Sequence, residues 1–297
     1  MADLADTIER TDLFTIRPAF TFFHNADGTN YVSEEAGGSI GWFKHGRVED
    51  FGGGSRLETS GQVIVGAWGG ANLEYRFNAD IAIRAEGRGT HFNEAQFSPF
   101  TGELDAILTP TDRTRIDFSV AHIVIAGNVA ALQHHLIGTF GSGGLDFRLN
   151  SFDRISLGVD GTSWADGNRR IRFHVTPAHQ FEGVPHIILS LPFLYQNYDR
   201  PFTFNLFSPK SYVELAPAVN VYLRRARFWA FSFYAHVGTQ KETSQDWKSL
   251  GTFRVTVEHE LWKVWGFHAA VQHSTSNLAS ATGFSRTTVS ISLTRRF

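Results

Sequence analysis

The sequence predicts an all-β chain: a transmembrane antiparallel up-and-down β-barrel of sixteen strands with both termini periplasmic. Three observations predict it. The chain is built of segments of about 10 to 14 residues in which apolar and polar residues alternate. The links between them are short and long by turns. The last segment runs to the final residue, Phe297, with Val289, Ile291 and Leu293 on its register and Arg295 as the one polar exception. Thr288, Ser290, Ser292, Thr294 and Arg296 take the other register. A period of two places these sets on opposite faces of one strand.

Composition agrees. Of 297 residues, 27 are Phe and 28 Gly, and none is Cys. No window approaches the roughly 18 to 20 consecutive apolar residues of a membrane helix. A barrel hides its apolar face in alternation, so the mean hydropathy of −0.17 is what it should show. A net charge of −2 leaves no nucleic-acid footprint. Without Cys there are no disulfides and no thiolate metal sites. Met1-Ala2-Asp3-Leu4-Ala5-Asp6 lacks the basic and apolar regions of an export leader. An outer-membrane barrel must be exported, so either a removed leader or a longer protein is expected before Met1. Residues 1–11 are expected to form a periplasmic segment and 12–297 the barrel.

The alternating segments, in order, are 12–24, 33–44, 49–59, 62–77, 80–91, 101–109, 113–124, 133–150, 152–163, 168–178, 184–197, 209–223, 226–239, 246–260, 263–275 and 284–297. The one helix candidate, near Gly127 to His135, is short. Short turns fall at Asn78-Ala79-Asp80, Thr109 to Asp112, Asn150-Ser151, Arg224 to Ala226 and Leu261 to Lys263. Longer links fall at Asn25–Tyr31, Phe92–Phe100, Asn197–Phe207, Thr239–Asp246 and Ser274–Gly283. Sorting by rim fits an outer-membrane barrel and has no cause in a soluble sandwich. Sixteen strands are too wide for side chains to fill the interior. Pro217, in mid-strand, requires a local disruption. Tyr31, Trp164, Tyr195, Tyr198, Trp247, Trp262 and Trp265, near strand ends, are expected to form interfacial girdles.

Alternation assigns the candidate pore-lining residues. They are Arg84, Glu86, Arg88, Arg115, Asp117, Asp160, Arg170, Arg172, His174, Tyr212, Glu214, Tyr222, Arg254 and Glu258. Arg170 and Arg172 alternate with Ile171 and Phe173, and an Arg facing lipid at mid-bilayer costs about 2–4 kcal/mol. His174 on the same row adds positive charge when protonated. This row attracts an anionic polymer; for a cationic one it needs pairing, as by Asp160. Tyr212, Tyr222 and Tyr234 could stack on sugar rings.

No catalytic constellation stands out, since no G-x-S-x-G elbow occurs. His134 and His135 are adjacent and would project to opposite strand faces. Asn25 to Asn30 lacks the terminal Glu of a calcium loop. Gly52-Gly53-Gly54 is followed by no Lys-Ser/Thr and is no phosphate loop. No enzyme activity, cofactor or metal is expected.

The closing strand resembles the terminal strand of bacterial outer-membrane barrels, in which a C-terminal aromatic such as Phe297 belongs to the signal read by the barrel-insertion machinery. Two segments narrow the likeness. Ser163-Trp164-Ala165-Asp166-Gly167-Asn168-Arg169-Arg170 and, about forty residues on, Leu206-Phe207-Ser208-Pro209-Lys210-Ser211-Tyr212 resemble the SDGN-R and YFSP-x-x-Y segments of tetratricopeptide-containing exopolysaccharide export proteins. These are the outer-membrane components for poly-N-acetylglucosamine and bacterial cellulose. The chain departs in Ala165, where the family often has Ser, and in lacking the tetratricopeptide superhelix. The resemblance implies a monomeric conduit for polysaccharide export. It implies as partners the outer-membrane bilayer, a periplasmic tetratricopeptide domain or protein, and an inner-membrane synthase complex. The alternatives are a general small-solute diffusion porin and a plugged barrel that anchors another domain. No link exceeds roughly a dozen residues, which disfavours a porin with a long constriction loop.

Overall fold

The computed structural model describes residues 14–25, 29–42, 45–59, 61–125, 128–200, 208–225, 228–243, 245–261, 265–276 and 284–296. The strands are β1 (Phe14–Asn25), β2 (Asn30–Trp42), β3 (Gly46–Thr59), β4 (Gln62–Arg76), β5 (Ile81–Phe92), β6 (Phe100–Thr111) and β7 (Thr114–Val124). A short helix α1 (Val129–Gln133) follows. Then come β8 (Ile137–Arg148), β9 (Asp153–Trp164), β10 (Arg169–Phe181), β11 (His186–Ser190 with Phe193–Tyr198) and β12 (Tyr212–Leu215 with Ala218–Arg225). The last are β13 (Trp229–Glu242), β14 (Lys248–Leu261), β15 (Trp265–Ser276) and β16 (Phe284–Arg296). Each pairs antiparallel with its sequence neighbours, and β1 pairs with both β2 and β16. Phe20 lies opposite Glu34 on one side and Ile291 on the other. The sheet is therefore a closed barrel of sixteen strands.

The two interrupted strands each count once because the register does not change across the gap. Ala178 faces Ser190 and Val175 faces Phe193, with no residue gained or lost. Leu215 faces Thr239 and Ala218 faces His236 in the same way. The gaps fall at Leu191-Pro192 and Ala216-Pro217, where a proline nitrogen has no hydrogen to donate. The disruption expected at Pro217 is present, and Pro192 produces a second beside it. The flanking amides still find acceptors. Leu191 N donates to Pro177 O at 3.0 Å, Ala216 N to Pro192 O at 3.2 Å and Val237 N to Pro217 O at 3.1 Å.

Links sort by rim. On one rim every link, 43–45, 77–80, 112–113, 149–152, 182–185, 226–228 and 262–264, is of four residues or fewer. The other rim carries the long ones, 93–99, 125–136, 199–211 and 277–283. Two short-rim turns share one device. Asn78 Oδ1 accepts from Asp80 N at 2.8 Å and Ile81 N at 2.9 Å, and Asn150 Oδ1 accepts from Phe152 N and Asp153 N at 2.7 and 2.8 Å. An Asx turn of this kind lets a side chain substitute for a backbone turn bond.

Several boundaries differ from expectation by a few residues, most of all at β8. The segment read as 133–150 begins as a strand only at Ile137, because α1 occupies the residues before it. Asn128 caps that helix, its Oδ1 accepting from Ala131 N at 2.9 Å. His134 and His135 lie at the helix end, not on opposite faces of a strand. The residues before Phe14 lie outside the described residues, as do Trp262 and Phe297.

Ala216 is fully buried against Gly238 on β13, where an added Cβ would lie 2.3 Å from Ala216 Cα and from Leu215 O. Backbone cannot yield there as a side-chain tip can. Gly238→Val is expected to destabilise the folded barrel by about 1–3 kcal/mol, the usual cost of overpacking. The midpoint of urea unfolding in lipid vesicles measures it.

Candidate functional site, the inner wall of the barrel

The pairing partners trace one continuous face round the whole barrel. From Asn72 it passes through Glu86, Glu103, Ala121, Phe140, Thr162, Arg170 and Tyr198. No pair inverts it. Among large apolar side chains exposed on strands, all but Tyr222 lie on the opposite face, including Leu104, Phe118, Val159, Phe173, Phe233, Val255 and Ile291. That apolar face meets lipid. All fourteen candidate residues, and Tyr234, lie on the inner face.

Charge on this wall is interspersed and largely paired. On β5, Arg84 Nη2 lies 3.0 Å from Glu86 and its Nε donates to Asn72 Oδ1 at 3.3 Å. Arg88 Nη2 reaches Glu86 at 3.5 Å and Glu35, three strands away, at 3.6 Å. Its guanidinium lies 4.8 Å above the Phe51 ring and 5.6 Å from Trp68. On β9, Asp160 holds two cations from β10, Arg170 at 2.9 Å and Arg172 at 2.5 Å. Asp160 is only 4 % exposed, so the carboxylate depends on those two partners.

On β12 and β13, Tyr212 Oη lies 2.7 Å from Glu214 Oε2 and 3.0 Å from Gln240 Oε1. His236 Nε2 is 3.2 Å from Glu214 Oε1. Arg254 Nε donates to Gln272 at 2.8 Å. The side chains of Arg115, Asp117, His174, Tyr222 and Glu258 make no hydrogen bond or ion pair among the described residues. The glycines opposite two of them make room: a Cβ on Gly144 would strike the Asp117 carboxylate at 2.5 Å, and one on Gly158 the His174 ring at 2.2 Å. Asp117 and His174 lie flat against the wall in one recess with Ser142, Asp146, Ser156 and Arg172.

The long-link rim is narrowed from within. Residues 128–136 fold inward with α1. Val129 and Leu132 pack with Leu57, Ile64, Phe92, Ala95 and Phe97, and Tyr31 joins them. Ala131 and Leu136 pack with Trp164 and Tyr198. The connection thus touches inner-face residues of β2 to β5 and of β9 and β11. His135 Nε2 donates to Ala95 O at 2.9 Å, with its ring stacked 4.6 Å from Phe97. A link of twelve residues suffices to enter the lumen, so link length does not disfavour a porin as the sequence suggested.

The same packing corrects the girdle. Tyr31, Trp164 and Tyr198 face inward and pack on this connection. Tyr195 and Trp265 do face outward, Trp265 under the Arg295 guanidinium at 5.2 Å, and Trp247 is exposed in a link. The two motif segments flank β11, and each holds its end. Gly167 has φ +83°, a conformation that favours glycine. Fully buried Asn168 donates through Nδ2 to Arg200 O at 2.8 Å, anchoring the start of the 199–211 connection. Tyr198 N donates to Pro209 O at 3.2 Å near its end.

No protein-family model matches the sequence, and no curated protein does. Solved structures do. One described as a bacterial polysaccharide outer membrane secretin superimposes with a TM-score of 0.80 at 15% identity, covering 97% of this chain and 100% of that one. This chain has the fold of a bacterial outer-membrane β-barrel. The CymD monoaromatic hydrocarbon channel gives 0.55 at 10% identity, covering 100% and 92%. Pseudomonas aeruginosa OccK7 (OpdD) gives 0.53 at 6%, covering 96% and 97%. At such identities the likeness is one of fold.

Two outcomes are expected in planar bilayers. Asp160→Asn removes the shared anion and leaves Arg170 and Arg172 unopposed, so reversal potentials shift toward anions. Leu132→Asp puts a charge into the apolar packing that holds α1, so this inward segment loosens and single-channel conductance rises above wild type.

Proposed function

We propose that this barrel is a passive outer-membrane conduit for export of a polysaccharide, with the driving force supplied by a synthase complex elsewhere. The observation that carries the reading is the inner wall. Charges of both signs, mostly paired with one another, are interleaved with partnerless polar groups at separate points around it, at Arg115, Asp117, His174, Tyr222 and Glu258. Conduction needs many weak contacts, because a single tight site would retain the polymer. The fold likeness to a polysaccharide secretin and the two motif segments, each holding the end of β11, support the same reading. The fourteen inner-wall residues then line the pathway, and Tyr222, the one exposed large aromatic on that face among the described residues, offers a ring for stacking on sugar.

The reading includes an orientation and partners. The short-turn rim and both termini are periplasmic, as in outer-membrane barrels generally. Phe297 serves the barrel-insertion machinery, the barrel works as a monomer, and a periplasmic tetratricopeptide domain or protein feeds it.

A general diffusion porin is the second reading, and the inward-folded 125–136 connection favours it as a constriction. Liposome swelling separates the two. A diffusion porin admits monosaccharides steadily, whereas the exporter admits them only when the packing of α1 is loosened. Deleting the gene should abolish surface polysaccharide; unchanged polysaccharide rejects export. Replacing Arg170 and Arg172 together with Glu should shift ion selectivity toward cations. Unchanged selectivity in a folded barrel would remove these two side chains from the pathway.

A further inference from the structure

Three inner-face rows on β7 to β10 frame a recess in the wall. The middle row runs Asp117, Gly144, Gly158, His174. The row toward the long-link rim runs Ser119, Ser142, Asp160, Arg172, and the row toward the short-turn rim Arg115, Asp146, Ser156, Thr176. The two glycines are direct partners, so the middle of the frame has no side chain of its own. Asp117 leans over Gly144 from one end and His174 over Gly158 from the other, so the two converge. Neither bonds to the other, or to any other side chain, among the described residues. What remains is a recess of about 190 Å³ whose floor is strand backbone at Gly143, Gly144 and Leu157. Phe140 closes it toward the long-link rim.

The groups round the recess keep hydrogen-bonding capacity of both kinds. Asp160 holds Arg172 through Nε alone, so both Nη groups of that guanidinium are left to donate. Ser156 donates to Asp146 Oδ1, and Asp146 Oδ2 is left to accept. Asp117 accepts only, while His174 has one donor and one acceptor when neutral. A metal ion needs convergent ligands, and no three His, Asp or Glu side chains converge on one point among the described residues. The charges also cancel. With the row of Phe140 and Arg170 included, Asp117, Asp146 and Asp160 stand against Arg115, Arg170 and Arg172. A mixed, neutral rim round a bare floor matches an uncharged ring with hydroxyls at its edge. The volume suits one ring, since pockets for larger ligands run to about 300–1,000 Å³. We infer that this recess seats one uncharged pyranose unit of the polymer in transit, an assignment that rests on the conduit reading. Asp117, His174 and Arg172 bond its hydroxyls, and the Phe140 ring meets its apolar C–H edge. Asp160 is a positioning residue that aims Arg172. The recess opens on the lumen, so the unit leaves as it enters and the contact stays weak enough for conduction.

Single-channel recording in planar bilayers tests it, with cellotetraose added from the short-turn side, away from α1. Brief blockades of the wild-type current are expected. D117A/H174A should shorten them about tenfold, the effect of losing two ordinary hydrogen bonds. T288A/S290A, on the inner face of β16 across the lumen, should leave them unchanged. Tetramers of glucosamine and of galacturonate, one cationic and one anionic, should block more briefly than cellotetraose. Heat-modifiable migration on gels confirms that each barrel is folded. If D117A/H174A does not insert, S142A/S156A is used, and a severalfold shortening is expected. Blockades as long in the recess variant as in wild type, or longer with a charged tetramer than with cellotetraose, overturn the assignment and leave the conduit reading standing. Absence of blockades overturns it too. Gene deletion then separates the two ideas: loss of surface polysaccharide keeps the conduit reading, and unchanged polysaccharide removes both.

Discussion

Lipid offers no hydrogen bonds, so every backbone amide and carbonyl in the spanning region must find its partner within the sheet. The rest of the structure follows from that constraint. It demands closure, which β1 supplies by pairing with both β2 and β16. Closure in turn demands that the two side-chain faces stay separate round sixteen strands, because a slip of one residue would send a whole strand's charges into lipid. The unbroken face from Asn72 round to Tyr198 is the expression of that rule. The prolines test it. Pro192 and Pro217 remove two donors from adjacent strands, yet the register on both sides is unchanged and the neighbouring amides at Leu191, Ala216 and Val237 keep acceptors. The gaps are local because everything flanking them is locked.

What was legible in the sequence follows from what a period of two encodes. It encodes strand and face. The sixteen segments, and the side of the wall on which Arg170, Glu214 or Arg254 lies, could be read from alternation alone because inner and outer solvents differ. It does not encode what covers a side chain near a rim. Tyr31, Trp164 and Tyr198 look like girdle residues by type and position, but their register is inward, and they pack on the 125–136 connection. Applying the alternation already in hand to these three would have shown it. The direction in which a link folds carries no period at all. Only the apolar character of Val129, Ala131, Leu132 and Leu136 hinted that this one must bury itself somewhere.

The inner wall shows how one set of side chains answers two demands. Arg and Asp in a barrel interior must be neutralised, and Asp160 with two guanidiniums, or Arg88 reaching from β5 to Glu35 on β2, does that across strands and braces the wall. Each such pair also removes a fixed charge from the pathway, so a solute meets a surface of small alternating fields. Glycine contributes by absence. At Gly144 and Gly158 the missing Cβ lets Asp117 and His174 lie flat, which keeps the bore wide where a protruding side chain would narrow it.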